Sequence, residues 1–367
     1  KPIWLIGDNF LGEDNGAAFF DFLSTKQREI IPFFAVSKNS IAYDKFKSQK
    51  HVVSFESKVY KLLLLLSDCS ISSITDRRLI KPFEMQNDSY RDILHKRNYI
   101  FLQHGVITQN LAREHNKYCY NPKGFVVSAY PEYDSLISGQ YFYTSKEVWL
   151  TGLPRFDLLR NNENKKIITI MPTWRAYLVT NSPSGEKQPL ATFIQSAYYK
   201  FYYSLLTNKK LLDEAQKMGY TISYKPHPLM NNCTRFFETK DRKIRIMTTE
   251  SYREIFAESS LIVSDYSSAI FDFLYLRKPI IYAHFDRNEF FSGKHCYDKG
   301  YLDYESDGFG EVEYNLEGVI DRIIEYMKNN CQMKELYRRR VDNFFAYSDQ
   351  NNCQRVFDKI RELEKMR

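Results

Sequence analysis

Two histidines follow apolar runs that are expected to form strands, and a histidine in such a place can do acid–base chemistry. His104 lies within Gln103-His104-Gly105-Val106, and His227 lies within Lys225-Pro226-His227-Pro228. Because imidazole titrates near neutral pH, it can accept a proton from a hydroxyl or, when charged, neutralise an anion. The glycine permits close approach of a substrate, and the prolines stiffen the second loop. The alternative for each histidine is a structural residue at a core edge or in a surface turn.

A cluster of hydroxyl-bearing residues follows a third strand-like segment. Leu261-Ile262-Val263 leads into Ser264-Asp265-Tyr266-Ser267-Ser268, and an apolar helical pattern from Ala269 to Leu276 comes next. Hydroxyls beside the first N–H groups of a helix can bind phosphate. Ser267 and Ser268 could instead only cap that helix. The turn has neither the glycine fingerprint of a dinucleotide site nor a P-loop, so dehydrogenases and P-loop ATPases are not indicated.

A fourth strand-like segment also ends in polar residues. The run from Lys165 to Ile170 leads into Met171-Pro172-Thr173-Trp174-Arg175, so Arg175 is expected to project from the strand's carboxyl end. Arginine and lysine donate charge-assisted hydrogen bonds to phosphate oxygens. The strand ends together predict a diphosphate site at one edge of a parallel sheet, formed by Arg175, Lys225, His227, Ser267 and Ser268.

In combination these motifs resemble the CDP-glycerol glycerophosphotransferase family, which contains the teichoic acid and capsule polymerases. The resemblance runs from about residue 3 to about residue 310, in the family's order. The motifs that carry it are Trp4-Leu5-Ile6, Asp14-Asn15-Gly16, Phe101-Leu102-Gln103-His104-Gly105-Val106, Gly152-Leu153-Pro154-Arg155-Phe156-Asp157, Met171-Pro172-Thr173-Trp174-Arg175, Lys225-Pro226-His227-Pro228 and Ser264-Asp265-Tyr266-Ser267-Ser268.

The resemblance implies a transferase that moves glycerol phosphate or ribitol phosphate from a CDP-activated donor to a hydroxyl of a teichoic-acid-like or capsule polymer, releasing CMP. It implies that His104 is the catalytic base and that His227 is a second essential histidine at the donor pyrophosphate. The donor-binding residues that we expect are Thr173, Arg175, Lys225, Pro228, Ser267, Ser268 and Asp272, and the acceptor-side residues are Asp14, Asn15, Gln103 and Gly105. Asp14 or Asn15 could equally do no more than cap the helix that begins near Gly16.

Two other functions stay open. The same charged crevice could serve a glycosyltransferase-B sugar transferase that uses a nucleotide-linked sugar in cell-surface polysaccharide synthesis. A non-catalytic polymer-binding or assembly protein would use His104 and His227 only as structural residues. Donor screening and histidine replacement separate these alternatives.

Charge and composition indicate which partners to expect. The net charge of +7 suits a CDP-activated polyol, an anionic polymer acceptor and, as a further option, an anionic membrane surface. The aromatic residues do not follow the pattern of a nucleic-acid-stacking sheet, so no nucleic acid is expected. Asp303, Glu305 and Asp307 alternate in a loop that is better explained as solvated than as a metal site. We therefore expect no tightly bound cofactor or metal, while dependence on Mg²⁺ stays open without a motif for it.

The order of the predicted elements indicates an α/β fold. Strand-like runs alternate with helical patterns in both halves, which is the rhythm of parallel sheets. The resemblance implies two Rossmann-like domains facing a central cleft, in the glycosyltransferase-B-like arrangement, and we expect an acceptor-side domain at 1–157 and a CDP-donor domain at 165–367. Besides Ile3–Ile6 and Tyr99–Leu102, the aliphatic run Leu62–Leu66 is also predicted as a strand.

Location is inferred from cysteine usage and from apolar runs. The 6 cysteines are scattered, which is typical of reduced thiols in the cytoplasm. No apolar run approaches the ~20 residues that a membrane-spanning helix needs. We expect a cytoplasmic protein, with peripheral attachment to the inner face of the bacterial cell membrane as the further option. The chain begins at Lys1 without methionine, so upstream sequence is expected.

Overall fold

The computed structural model describes residues 1–75, 77–80, 98–162, 165–182, 186–238, 244–294 and 298–365. The chain forms two compact units. Unit 1 contains residues 1–107, 111–158 and 344–367, and unit 2 contains residues 108–110 and 159–343. Each unit is built on its own parallel sheet. The predicted α/β class is therefore confirmed.

The sheet of unit 1 is entirely parallel and has the strand order β3-β2-β1-β4-β5-β6-β7. Its strands are β1 (Ile3–Gly7), β2 (Ile31–Val36), β3 (Val52–Ser54), β4 (Cys69–Ser72), β5 (Asn98–Phe101), β6 (Gly124–Val127) and β7 (Val148–Leu150). The helices between them are α1 (Asn15–Lys26), α2 (Ile41–Phe46), α3 (Lys58–Leu66), α4 (Arg77–Ile80), α5 (Ala112–His115), α6 (Lys117–Tyr120) and α7 (Tyr130–Ile137), followed by a 3₁₀ helix at Pro154–Leu158. The chain order reverses between β1 and β4, and the loops that follow these strands diverge there.

Unit 2 has a second parallel sheet, in the order β12-β11-β8-β13-β14-β15, and a separate antiparallel pair formed by β9 and β10. Its strands are β8 (Ile167–Ile170), β9 (Val179–Asn181), β10 (Lys187–Pro189), β11 (Thr221–Tyr224), β12 (Ile244–Ile246), β13 (Ser259–Ser264), β14 (Ile280–Ala283) and β15 (Gly310–Glu313). Its helices are α8 (Ala197–Leu206), α9 (Lys209–Met218), α10 (Tyr252–Glu258), α11 (Ile270–Tyr275), α12 (Arg287–Glu289), α13 (Leu316–Lys328) and α14 (Glu335–Phe344). A 3₁₀ helix at Pro228–Phe236 follows β11. The reversal point of this sheet lies between β8 and β13.

Fully buried strands explain the continuous apolar runs in the sequence. All four residues of β8 and all four of β14 are buried, as expected for strands covered on both faces. The core of unit 2 packs these strands against α8 and α13, with Tyr202 and Ile323 both fully buried. In the aromatic first half of α8, Tyr198, Phe201 and Tyr202 are buried and pack in this core.

The last helix of the chain, α15 (Asn352–Lys365), belongs to unit 1 and not to the C-terminal half. This division differs from the predicted boundary of 165–367. Asp157 accepts hydrogen bonds from the backbone N–H groups of Asn352 and Cys353, at 2.9 and 2.8 Å, which supplies partners for the first turn of α15. The ring of Phe357 on α15 lies 5.5 Å from that of Trp4 on β1. The sequence pattern carries no sign of this return.

The aliphatic run Leu62–Leu66 is helical, so its prediction as a strand is wrong. Ser57 caps α3 by accepting the N–H of Tyr60 at 3.0 Å. Only Leu63 and Leu64 of the run are buried, which is one side of a helix and not the alternation of a strand. Within the described ranges, no helix combines the length and the apolar character needed to cross a bilayer.

Candidate active site

His104 is placed by a strained loop that follows β5. Gln103 has a φ of 66°, a left-handed conformation that is uncommon for a residue with a side chain. The buried side chain of Gln103 holds this loop by donating to the carbonyl of Val126 and to Glu132, both at 3.0 Å. The left-handed conformation of this loop therefore falls on Gln103, the residue directly before His104. As a result, 69% of the His104 side chain is exposed.

A buried carboxylate orients this exposed imidazole. Nδ1 of His104 makes a short hydrogen bond to Oδ2 of Asp14, whose side chain is almost fully buried. Burial opposes ionisation of Asp14, but the charges of His104 and Arg155 and its hydrogen bonds together lower its pKa. An ionised carboxylate can only accept, so Nδ1 carries the proton and Nε2 presents a lone pair. The charge of Asp14 also raises the pKa of His104.

Asp14 is in turn fixed from several sides. It accepts the N–H of Asn15 at 2.8 Å and Nη1 of Arg155 at 2.5 Å through Oδ1. The same guanidinium nitrogen donates to the backbone carbonyl of His104, so Arg155 ties the histidine to the carboxylate. Asp14 occupies the N-cap position of α1 and also binds the candidate base, so it does more than cap the helix, and its contact with the acceptor stays a prediction. Arg155 lies in one of the motifs that carry the family resemblance, but no role was predicted for it.

Asn15 and Asp8 are buried and support the Asp14–His104 pair from beneath the protein surface. Asn15 is fully buried, donates to the carbonyl of Gln103 at 2.7 Å and accepts the N–H of Arg155 at 3.0 Å. Asp8, which directly follows β1, accepts the N–H groups of Asp14 and Ala17, both at 3.1 Å. Burial and the charge of Asp14 raise the pKa of Asp8 to about 7. Asn15 was expected on the acceptor side, but its contacts are those of a positioning residue.

A second buried acid fixes the opposite side of the His104 loop. Glu132 on α7 accepts the N–H of Ile107 at 2.7 Å and that of Ser128 at 3.1 Å, in addition to the amide of Gln103. Burial raises the pKa of Glu132 to about 8. Nothing in the sequence around Glu132 marked it as part of the site, because its partners come from distant strand ends.

In unit 2 the reversal point between β8 and β13 is filled by Arg175. The side chain is fully buried, and all five N–H groups of its guanidinium are used within the protein. Nε and one Nη2 hydrogen bind Asp286 at 2.7 and 3.0 Å, the other Nη2 hydrogen binds Asp265 at 2.8 Å, and Nη1 binds the carbonyls of Thr173 and Trp174 at 2.9 and 3.3 Å. This corrects the expectation that Arg175 reaches donor phosphate. It links the loops after β8, β13 and β14 instead.

The hydroxyl turn lies next to this ion-pair network. Asp265 also accepts the N–H of Thr173 at 2.8 Å, which joins the turn to the loop after β8. Ser267 accepts the N–H of Ala269 at 3.3 Å, whereas Ser268 is exposed. Neither serine caps α11, since Ala269 occupies the N-cap position without a side-chain bond. Asp272 is buried within α11 and Thr173 is buried in its loop.

The Lys-Pro-His-Pro loop exposes only one of its two polar side chains to solvent, that of His227. Lys225 is buried, and its Nζ donates to the carbonyl of Glu250 at 3.1 Å. His227 is partly exposed, stacks on Trp174 at 6.2 Å between ring centroids and accepts the N–H of Leu229 through Nδ1 at 3.2 Å. Because Nδ1 accepts, the proton of the neutral ring lies on Nε2, which can donate to an anion. Pro228 is exposed beside it and begins the 3₁₀ helix.

The alternating acidic loop has local partners. Asp303 accepts the N–H groups of Glu305 and Ser306 at 3.0 and 3.1 Å, and these bonds lower its pKa. Glu305 pairs with Arg287 at 3.0 Å. Among the described residues, no group of three or more His, Cys, Asp or Glu side chains is placed to hold a metal ion.

Each unit has a parallel α/β sheet with polar loops after its strands, and unit 1 also holds the carboxylate-bound histidine. The profile of the CDP-glycerol:poly(glycerophosphate) glycerophosphotransferase family matches residues 3–362, and the chain belongs to this family. The family expected from the motifs is confirmed, and it is an enzyme family.

Relatives of known name agree with this assignment. The minor teichoic acid biosynthesis protein GgaB of Bacillus subtilis (strain 168) is 35% identical over 367 residues, which is 99% of this chain and 40% of GgaB. A teichoic acid glycerol-phosphate transferase of Staphylococcus aureus (strain NCTC 8325 / PS 47) is 23% identical over 253 residues, covering 64% of this chain and 60% of that protein. This chain thus spans less than two thirds of either relative.

The fold is also that of a solved relative. A structure of the wall teichoic acid polymerase TagF aligns with a TM-score of 0.72 at 15% identity, over 99% of this chain and 90% of the chain in that structure. The glycosyltransferase-B-like fold class that we expected is confirmed by this likeness.

Proposed function

We propose that this chain transfers glycerol phosphate or ribitol phosphate from a CDP-activated donor to a hydroxyl of a teichoic-acid-like or capsule polymer, with release of CMP. The observation that carries the proposal is the Asp14–His104 pair. An exposed imidazole whose Nδ1 is bound by a buried carboxylate is prepared to remove a proton from a hydroxyl through Nε2. Membership of a glycerophosphotransferase family supplies the substrate class.

The proposed reaction is a direct displacement at phosphorus. The acceptor hydroxyl attacks the phosphorus that bears the polyol, and its proton passes to Nε2 of His104. The bond from this phosphorus to the bridging oxygen breaks, and its electron pair leaves with CMP. Asp14 stabilises the imidazolium that forms, as the carboxylate of a catalytic triad does. No covalent enzyme intermediate is needed.

Charge on the phosphates is balanced by unit 2 in this proposal. Nε2–H of His227 donates to a donor phosphate oxygen, and the exposed hydroxyl of Ser268 donates to another. Preorganised donors of this kind are worth about 10²–10³ in rate each. Arg175 contributes indirectly, because it holds the turn that carries Ser267 and Ser268 in one conformation.

The surroundings of the reaction are part of the same proposal. The modest positive charge suits an anionic polymer at an anionic membrane surface, so we place the enzyme in the cytoplasm and in peripheral contact with the inner face of the membrane. We also propose that phosphate charge is balanced by protein side chains, without a tightly held protein-ligated metal.

A donor screen tests the proposal. CMP release is measured from CDP-glycerol and CDP-ribitol, and UDP or CMP release from a UDP-sugar and a CMP-sugar, each with and without a polyol-phosphate oligomer. The proposal expects acceptor-dependent release from a CDP-polyol only. Release from a nucleotide sugar alone would replace it with the sugar-transferase alternative. Binding of oligomer without turnover of any donor would favour a non-catalytic polymer-binding protein.

A further inference from the structure

Unit 2 contains a small cavity beside the hydroxyl turn that none of the steps above uses. Its volume is about 290 Å³, and it is lined by two cationic side chains, two amides and two aromatic rings, namely Arg287, Lys299, Gln109, Asn288, Phe291 and Tyr304, while Leu302 and the carboxylate of Asp303 complete the lining. Small-molecule sites are about 300–1,000 Å³ in volume, so this cavity suits one small unit better than a nucleotide.

The cavity wall touches the ring that precedes the hydroxyl turn. The Tyr266 ring packs edge-on against Phe291, with 5.2 Å between centroids, and edge-on against Tyr304 at 5.9 Å. Tyr266 is followed in the chain by Ser267 and Ser268. Arg287 and Asn288 lie just after β14, the neighbour of β13, at the carboxyl edge where α/β sheets bind ligands. The cavity is therefore separated from the turn by one aromatic residue.

Both cations are only weakly held by their own counter-charges. Arg287 pairs with Glu305 at 3.0 Å, with 40% and 60% of the two side chains exposed. Lys299 lies 3.8 Å from Asp303, with 63% and 41% exposed. Exposed pairs of this kind are worth about 0–1 kcal/mol. A phosphate entering the cavity can therefore replace either carboxylate as the partner of the cation.

The rest of the lining suits a hydroxylated carbon chain. Amides such as those of Gln109 and Asn288 can both donate to and accept from hydroxyls. The carboxylate of Asp303 is fixed by backbone N–H groups and can accept from a hydroxyl, while Phe291 and Tyr304 offer apolar surface to the carbon atoms. A nucleobase is larger, and a bare phosphate would leave the amides and rings unused.

We propose that this cavity binds one polyol phosphate unit, with Arg287 and Lys299 on the phosphate and Asn288, Gln109 and Asp303 on the hydroxyls. This inference deepens the proposed function and rests on it for the choice of polyol. The unit comes either from the polyol end of the CDP donor or from the end of the acceptor polymer. Both sources present the same chemistry, and the experiment distinguishes them.

Direct binding tests the cavity without any turnover. Calorimetry with the whole chain uses glycerol phosphate, ribitol phosphate, inorganic phosphate and free glycerol as probes. The proposal expects the polyol phosphates to bind more tightly than phosphate or glycerol. Lys299→Ala and Arg287→Ala are expected to weaken that binding at least tenfold, because hydrogen bonds to charged groups are strong.

Two further variants separate binding from a structural role. Lys210 is a matched control, since it is 64% exposed and pairs with Asp321, so Lys210→Ala is expected to bind like the wild type. Glu305→Gln removes the carboxylate that competes for Arg287 and is expected to strengthen polyol phosphate binding about twofold to fivefold. A purely structural Arg287–Glu305 pair predicts no such gain. The side chains of Lys299, Glu305 and Lys210 are largely exposed and that of Arg287 is 40% exposed, so folding is expected to be preserved and is checked by thermal unfolding.

The source of the unit follows from kinetics of the same variants. If the donor's polyol occupies the cavity, Lys299→Ala weakens CDP-glycerol but leaves CDP unchanged. If the acceptor occupies it, Lys299→Ala raises the KM of the oligomer and leaves the donor unchanged. Polyol phosphate binding in Lys299→Ala and Arg287→Ala equal to that of Lys210→Ala overturns the inference. If these variants bind normally and the wild type transfers polyol phosphate, only the inference about the cavity is wrong. If binding depends on Lys299 but the wild type transfers no polyol phosphate, only the proposed function is wrong.

Discussion

Replacing Asp14 with Asn removes the charge that orients His104 while keeping the shape of the side chain. Oδ1 can still accept from Asn15 and Arg155, as it does in the wild type. The amide that replaces Oδ2 can only donate, so Nδ1 of His104 must become the acceptor. The imidazole proton then moves to Nε2, and the lone pair that takes the substrate proton is lost.

The expected loss of rate is large compared with the loss of stability. A wrong tautomer in a triad costs about 10⁴ in kcat, which is about 5 kcal/mol of barrier. In the fold, the hydrogen bond from Arg155 keeps its cationic donor and loses the charge of its acceptor, which we put at about 1–3 kcal/mol. A domain with the usual free energy of unfolding, about 5–15 kcal/mol, stays folded after such a loss. The activity change therefore reports chemistry and not unfolding.

The pH profile gives a second signature of the same change. The charge of Asp14 raises the pKa of His104, and a base works only when it is unprotonated. Activity of the wild type is therefore lost as the pH falls through this raised pKa. In Asp14→Asn the pKa returns toward its ordinary value, so the acid limb of kcat/KM moves to lower pH while its plateau falls.

The assay is acceptor-dependent CMP release across pH, with thermal unfolding of each variant. Asp157→Asn is the matched control, because that carboxylate binds backbone N–H groups at the start of α15 instead of the histidine. We expect it to lose stability and to keep its turnover and pH profile. Turnover of Asp14→Asn within about threefold of the wild type, or an equal loss in Asp157→Asn, would refute the role of Asp14, since a base contributes about 10²–10⁴.

Three further variants test the supports of the two sites. Gly16→Ala places a Cβ 2.2 Å from a β1 carbonyl oxygen, so α1 must move together with Asp14. Turnover and melting temperature should both fall. An unchanged melting temperature would contradict the close approach of Gly16 to β1. His227→Ala should lower kcat/KM for the donor about 10²-fold and leave the His104 limb of the pH profile in place; a shifted limb would argue against separate roles. Arg175→Met leaves Asp265 and Asp286 without their cation, so urea unfolding should show a loss of about 3–5 kcal/mol, and a neutral result would contradict its supporting role.

Periodic apolar runs and strand-end motifs predicted most of the fold. In unit 2, β8 and β13 lie within a residue or two of the predicted runs, because strands buried on both faces are continuous apolar segments, whereas β9, β10, β12 and β15 were not predicted. The strand prediction for Leu62–Leu66 was wrong because an aliphatic run of five residues fits a helix as well as a strand. The cap formed by Ser57 favours the helix. The return of α15 to unit 1 depends on contacts between the two ends of the chain, which no local pattern encodes.

The candidate site also contains residues that the sequence predicted and residues whose partners it could not predict. His104 was named because it follows a strand-like run and Asp14 because it lies in a motif of the resemblance, and the fold brings them together. Arg175 was assigned to phosphate because its type suits that ligand. Its true partners, Asp265 and Asp286, lie 90 and 111 residues away along the chain. Glu132 escaped notice because a buried carboxylate that binds backbone N–H groups leaves no motif.

The most direct test of the central claim is mass spectrometry of a polyol-phosphate oligomer after incubation with CDP-glycerol or CDP-ribitol, with wild type and His104→Ala. The account predicts that the wild type lengthens the oligomer by whole polyol phosphate units, in step with CMP release, and that His104→Ala folds but adds essentially none. Oligomer growth at the wild-type rate in His104→Ala, or growth by a sugar from a nucleotide sugar in place of a polyol phosphate, would contradict it.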